Sequence, residues 1–107
     1  MKLLKYSGKQ KRPKLMVVRR VVGSSMSPRL TPGQIVIAIN SFRKIKAGEV
    51  FIFRHDGKEK IKRVERTIHN RIFFIGDNLS YSSDSRQFGW IRRAQVIAKV
   101  VWPRVHN

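Results

Sequence analysis

The sequence predicts a mostly β fold, one small domain whose short strands coil into a barrel-like core. Three observations lead there. Runs rich in Val, Ile and Phe recur from Leu15 to Trp102, each bounded by turn residues. Tight-turn dipeptides fall between them, at Pro32-Gly33, Ala47-Gly48, Asp56-Gly57 and His69-Asn70. No apolar stripe at i, i+3, i+4, i+7 persists for a dozen residues, so helix is confined to short pieces.

Residues 1–14 carry six cations and no acid, with Gly8 and Pro13. Such a segment repels itself and has little apolar surface to bury, which predicts a flexible basic tail. A single domain follows over 15–107. Strands are expected at Leu15–Val22, Ile35–Ile39, Val50–Phe53, Lys60–Arg66, Arg71–Ile75 and Val96–Trp102. Asp56-Gly57 between two of these runs reads as a hairpin. Short helical pieces are expected at Ser27–Leu30 and Arg92–Val96.

The 107 residues suffice for one core, and 41% hydrophobic content is ordinary for a globular chain. The absence of cysteine excludes disulfide scaffolds, zinc ribbons and thiol nucleophiles. The longest strictly apolar run, Ile35–Ile39, is far short of the roughly 20 residues a membrane helix needs. Leu3-Leu4 is interrupted at once by Lys5, so no secretory leader is read, and a cytoplasmic location is expected.

With 24 Lys and Arg against 6 Asp and Glu, the formal charge is +18. A field of that size attracts nucleic acid, anionic lipid or acidic protein without choosing among them. The basic tail could also hold the chain at an anionic membrane surface, on the inner face of the membrane.

Metal and carboxylate chemistry are poorly supplied. His55, His69 and His106 stand apart with no paired-ligand spacing, and read as surface or turn histidines. Asp77 and Asp84 share a polar segment but lack the further acids that a divalent cation recruits. No metal and no cofactor is expected.

The run Gly23-Ser24-Ser25-Met26-Ser27-Pro28 is more informative, because it sets hydroxyls at the end of an apolar strand. A serine needs a base to become a nucleophile, and with no suitable histidine the candidate is a lysine whose pKa burial has lowered. Lys60 and Lys62 lie in an alternating segment, and Lys62 is farther from the Asp56-Gly57 turn and from water. In the polar stretch Gly76–Gly89, Asp84 and Arg86 are placed to pair while serines hydrogen-bond neighbouring groups.

Together these segments resemble the signal peptidase I family of serine–lysine peptidases. The resemblance rests on Gly23-Ser24-Ser25-Met26-Ser27-Pro28, the turns Pro32-Gly33 and Gly48-Glu49, Ile61-Lys62-Arg63-Val64, and an ungapped Gly-Asp-Asn-x-x-x-Ser-x-Asp-Ser-Arg-x-x-Gly box from Gly76 to Gly89. It runs from about Val21 to Pro103. It implies the small coiled β-barrel-like catalytic core of the signal peptidase and LexA type, with Ser25 as nucleophile and Lys62 as general base. Arg63 and Arg86 would be structural, Ser82 would hydrogen-bond the lysine, and Asp84 would partner Arg86. The oxyanion would meet the Ser25 N–H and a backbone donor at Gly23, where some members carry a serine. Val21, Val22, Met26 and Ile61 would line shallow pockets for an extended peptide.

Neither the membrane helices nor the second β-domain of family members that process secreted precursors is read in these 107 residues, and a minimal catalytic core is expected. Its Ser82–Gly89 run resembles the short, anchorless nickel-type superoxide dismutase maturation proteases. The expected function is therefore cleavage of a leader or N-terminal extension from a precursor protein. The alternative is a basic β-domain that binds nucleic acid nonspecifically or an acidic partner, either LexA-like or non-catalytic. LexA-type repressors share the Gly-x-Ser-Met element but not the Gly76–Gly89 box, and Met1–Leu15 is too short for a helix-turn-helix domain.

Overall fold

The computed structural model describes residues 15–105. The basic tail read over 1–14 and His106 lie outside the described residues. Seven strands form one antiparallel sheet: β1 (Met16–Arg20), β2 (Ile35–Ile39), β3 (Val50–His55), β4 (Lys58–Ile68), β5 (Arg71–Ile75), β6 (Ile91–Arg92) and β7 (Val96–Trp102), in the spatial order β1-β2-β7-β3-β4-β5-β6. A single helical turn, α1 (Ser85–Phe88), and two 3₁₀ turns, Leu79–Tyr81 and Arg93–Gln95, complete the described chain.

The centre of the sheet follows from Val50-Phe51-Ile52-Phe53, a continuous apolar run with a partner strand on either side. Alternation along β3 sends its side chains to opposite faces. Val50 and Ile52 join a cluster with Val36, Ala38, Ala98 and Val100, while Phe51 and Phe53 join Val64, Ile72, Phe74 and Ile91 on the other. Phe53 and Phe74 stack with centroids 4.1 Å apart. A strand buried on both faces shows no polar alternation, which is why its sequence reads as unbroken hydrophobicity.

All four dipeptides expected to turn do so. In the β3–β4 hairpin His55 pairs with Lys58 around Asp56 and Gly57, whose φ values of 54° and 74° give the doubly left-handed geometry of a two-residue hairpin. That tight closure carries pairing out to Lys58 and Glu59, so β4 begins two residues before the expected Lys60.

β1 and β4 are not neighbours in the sheet order, yet the Arg19 guanidinium donates two hydrogen bonds to Glu59, at 2.7 and 3.1 Å. The strands from β1 to β4 therefore curl until their ends face one another, which gives the expected barrel-like character. The gap between them is the cleft that holds the candidate site.

Candidate active site

Ser25 sits in the connection between β1 and β2, and the loop is anchored on both sides of it. Met26 and Leu30 are fully buried in the core, and the Leu30 N–H donates to the Met26 carbonyl at 2.9 Å. Val21 N–H donates to Gln34 O and Gly33 N–H to Val21 O, both at 2.8 Å, which closes the base of the loop. Met26 was expected to line a substrate pocket. It is instead the apolar peg that fixes its neighbour Ser25, because a side chain with no exposed surface has none to offer a peptide.

Lys62 lies on β4 and is 6% exposed, and its Nζ stands 2.7 Å from Ser25 Oγ. The two residues are 37 positions apart in sequence, so only the curl of the sheet brings them together. Burial, and secondarily the positive charge of Lys60, push the Lys62 ammonium down to about 8, against the opposing pull of Asp84. The separation suits transfer of the Ser25 proton to a neutral amine.

A chain of contacts behind the pair fixes the serine loop. Arg63 faces away from Lys62 and clamps Asp77 with two hydrogen bonds of 2.7 Å, while also donating to Gly48 O and Val105 O. From the residue after Asp77, the Asn78 N–H donates to Ser25 O at 2.8 Å and Asn78 Nδ2 to Ser24 O at 3.1 Å. The backbone of Ser25 is thus tied to a partly buried ion pair. Gly76 makes the approach possible, since a Cβ there would lie 2.7 Å from Ser25 O and 2.1 Å from Ser82 Oγ.

Asp84 is fully buried and accepts five hydrogen bonds, from Gly76 N–H, Ser82 Oγ, Arg86 N–H, Arg86 Nε and Arg86 Nη2, at 2.8–3.1 Å. Burial alone would raise its pKa. The Arg86 side chain and the other donors outweigh that and hold it at about 2. The carboxylate also caps α1, with Gln87 Oε1 accepting in return from the Asp84 N–H at 2.9 Å. The Asp84–Arg86 pairing is as expected; the Ser82 hydroxyl, expected to meet the lysine, donates to Asp84.

An expected outcome follows for acid stability. A depressed carboxyl contributes stability that is complete above the unfolded value of about 4 and is lost as pH falls through about 2. Asp84→Asn should therefore lower stability at pH 6 by about 2 kcal/mol and flatten the acid limb. Urea unfolding between pH 2 and 6 checks this; an unchanged acid limb would remove Asp84 from that role.

The cleft between the ends of β1 and β4 has a volume of about 360 Å³ and is lined by Val21, Val22, Val36, Ile52 and Ile61, with Arg19, Arg20, Glu59 and Lys60 among its polar lining and Ser25 and Lys62 on its wall. Of the expected pocket residues, Val21, Val22 and Ile61 are there. Gly23 starts the serine loop with φ of +81° and no neighbour within 4 Å of where a Cβ would stand, so its left-handed backbone rather than lack of space makes glycine suitable.

The sequence reading did not assign roles to Gly76, Asp77 and Asn78, though the Gly-Asp-Asn triplet was visible. Nor did it find the Arg19–Glu59 bridge, which joins two distant basic and acidic positions with no local pattern to mark them. Among the described residues no three metal-ligating side chains converge, and no helix is long and apolar enough to cross a membrane.

A family model described as Peptidase S24-like matches residues 2–101. No curated protein matches the chain.

Proposed function

The chain belongs to the Peptidase S24-like family, and from that premise we propose that it is a serine–lysine endopeptidase that removes a leader or N-terminal extension from a precursor protein. The observation that carries this reading is the 2.7 Å separation of Ser25 Oγ from the Nζ of a buried, pKa-lowered Lys62 on the wall of a cleft lined in part by Val21, Val22 and Ile61.

A substrate segment would enter the cleft extended, its small side chains against Val21, Val22 and Ile61. Neutral Lys62 takes the Ser25 hydroxyl proton as Oγ bonds to the scissile carbonyl carbon. The N–H groups of Ser25 and Gly23 are the proposed donors to the oxyanion. The intermediate collapses as the C–N bond breaks, and the Lys62 ammonium returns its proton to the leaving amine. Lys62 then deprotonates a water, whose oxygen attacks the ester carbon; the ester bond breaks and Ser25 regains its proton. No metal or cofactor enters.

The intact Gly76–Gly89 box supports the signal peptidase I-like form of this activity, and the Ser82–Gly89 run supports nickel superoxide dismutase precursors as a substrate class to try first. A cytoplasmic site of action, peripheral at the inner membrane face through the basic tail, fits the charge.

With Lys62 at about 8, about a tenth of it is neutral at pH 7, so the cleavage rate should rise roughly tenfold from pH 7 to 9.5 with a midpoint near 8. Lys60→Gln removes a cation that favours the neutral amine and should move the midpoint upward. Rates on a peptide pool that includes superoxide dismutase leader sequences test both. A flat profile, or a midpoint unmoved by Lys60→Gln, would count against a lysine base.

A further inference from the structure

At the far end of β4 from the hairpin turn, two adjoining cavities of about 250 and 750 Å³ share His69, Asn70 and Arg93 as a common wall. Six cations line them: Arg43, Lys44 and Lys46 in one, Arg71 and Arg92 in the other, and Arg93 in both. None of the six carboxylates of the chain does. Five of those acids are committed to other cations, namely Arg19 and Arg54, Arg63, Arg66, Arg86 and Lys99, and Asp56 lies in the β3–β4 turn at the opposite end of β4. Glu49, nearest in sequence to the lysines, pairs with Lys99 and accepts from the Lys46 N–H.

The arrangement of these cations is costly by itself. Arg71 and Arg92 are direct cross-strand partners between β5 and β6, and both are exposed. Like charges placed directly opposite destabilise a sheet unless a counter-charge lies between them. Arg93 is held in place: its N–H donates to Asn70 O at 2.8 Å, its Nη2 donates to Arg43 O at 3.0 Å, and its guanidinium sits 5.2 Å from the Phe42 ring centre. On the neighbouring β4, Arg66 lies over Phe73 and Trp90 at 4.4 and 5.3 Å, with its charge paired to Glu65.

We propose that this surface binds the phosphodiester backbone of nucleic acid. A chain carrying a negative charge every few ångströms can bridge Arg71 and Arg92 and continue through the shared wall toward Arg43 and Lys44. A membrane fits less well, because a peripheral site sets apolar side chains among its cations. The large exposed apolar residues Met16, Val18, Val22, Leu79, Tyr81 and Trp102 belong to other parts of the chain, and Ile68 alone of that class lines these cavities among the described residues. Lys62 and Ile68 are six residues apart on β4, about 20 Å along a strand, so a bound backbone leaves the dyad open. The inference is independent of the peptidase reading.

The test is fluorescence anisotropy with a labelled 20-nucleotide single-stranded DNA and the full chain across a salt series. Lys44→Gln/Arg71→Gln/Arg92→Gln should weaken binding at least tenfold near 0.1 M salt and reduce the log–log salt slope by about 2. The control Arg54→Gln/Lys58→Gln/Arg104→Gln removes equal charge from exposed positions outside both cavities and should change affinity less than threefold. Equal weakening by both triples would overturn the proposal, since net charge alone would then explain binding. So would absence of DNA binding, or patch-dependent binding of 7:3 phosphatidylcholine:phosphatidylserine vesicles in its place. Peptide cleavage should be the same in both triples.

Discussion

Lys62→Met should abolish peptide cleavage, by at least 10²- to 10⁴-fold, and at the same time make the protein more stable. The two effects share one cause. At neutral pH the Lys62 ammonium is held where burial disfavours its charge, displaced from 10.5 to about 8. The folded chain gives up this proton before the unfolded chain does. The penalty is therefore fully present below pH 8 and is relieved as pH rises from about 8 to 10.5. Methionine matches the stem in length and needs no solvation. Allowing for the lost contact with Ser25, the variant should gain about 2 kcal/mol at pH 7 and show little advantage by pH 10.5. Urea titrations at the two pH values measure it. A variant less stable than wild type at pH 7 would mean that the amine is not strained by burial.

Gly76→Ala should act in the opposite sense, costing both stability and activity. The added methyl would meet Ser82 Oγ at 2.1 Å, Ser82 Cβ at 2.6 Å and Ser25 O at 2.7 Å, distances that real side chains do not tolerate. Overpacking of this kind typically costs 1–3 kcal/mol. Here the segment must move, and with it the Asn78 bond that fixes Ser25. A displacement of about 1 Å at a reacting group can cost roughly 10²-fold in rate. Gly76→Ala/Ser82→Gly separates the two consequences: it removes the side-chain collision but not the one with Ser25 O, so activity should stay low. Gly57→Ala serves as the comparison for stability alone: nothing lies within 4 Å of its Cβ position, so its cost is the backbone strain of a left-handed φ of +74°. It is far from the serine loop in sequence, so activity should hold. If Gly76→Ala cleaved at the normal rate, the proposed link between residues 76–78 and the nucleophile would be wrong.

The strands were legible where an apolar run ends against turn residues. Ile35–Ile39, Arg71–Ile75 and Val96–Trp102 begin and end where the sequence places them. β4 was harder, because Lys62, Arg63 and Val64 are all buried and no alternation of polar and apolar residues marks its faces. The bulge between Val64 and Arg66 obscures the pattern further. The helical piece expected at Ser27–Leu30 is a run of turns. That near Arg92 is the 3₁₀ turn Arg93–Gln95. The α-helical turn stands instead at Ser85–Phe88, too short for any hydrophobic period, and its one local signal is the Asp84-x-x-Gln87 cap.

Within the site, distance from the Asp56-Gly57 turn favoured Lys62 over Lys60 as the lysine that loses water. Only the resemblance paired it with Ser25, because the two are 37 residues apart and no local pattern joins them. The structure supplies that link in the curl that buries Lys62 against the serine loop. It also moves Met26 from substrate contact to anchor, and turns Ser82 toward Asp84.

The most direct test of the Ser25–Lys62 dyad is intact-mass analysis of the protein after acid quenching during turnover of a cleaved precursor peptide. Wild type should carry an acyl adduct on Ser25 and release product at one consistent bond, while Ser25→Ala, folded to the same extent, should show neither. Cleavage at the same bond by Ser25→Ala would contradict the assignment.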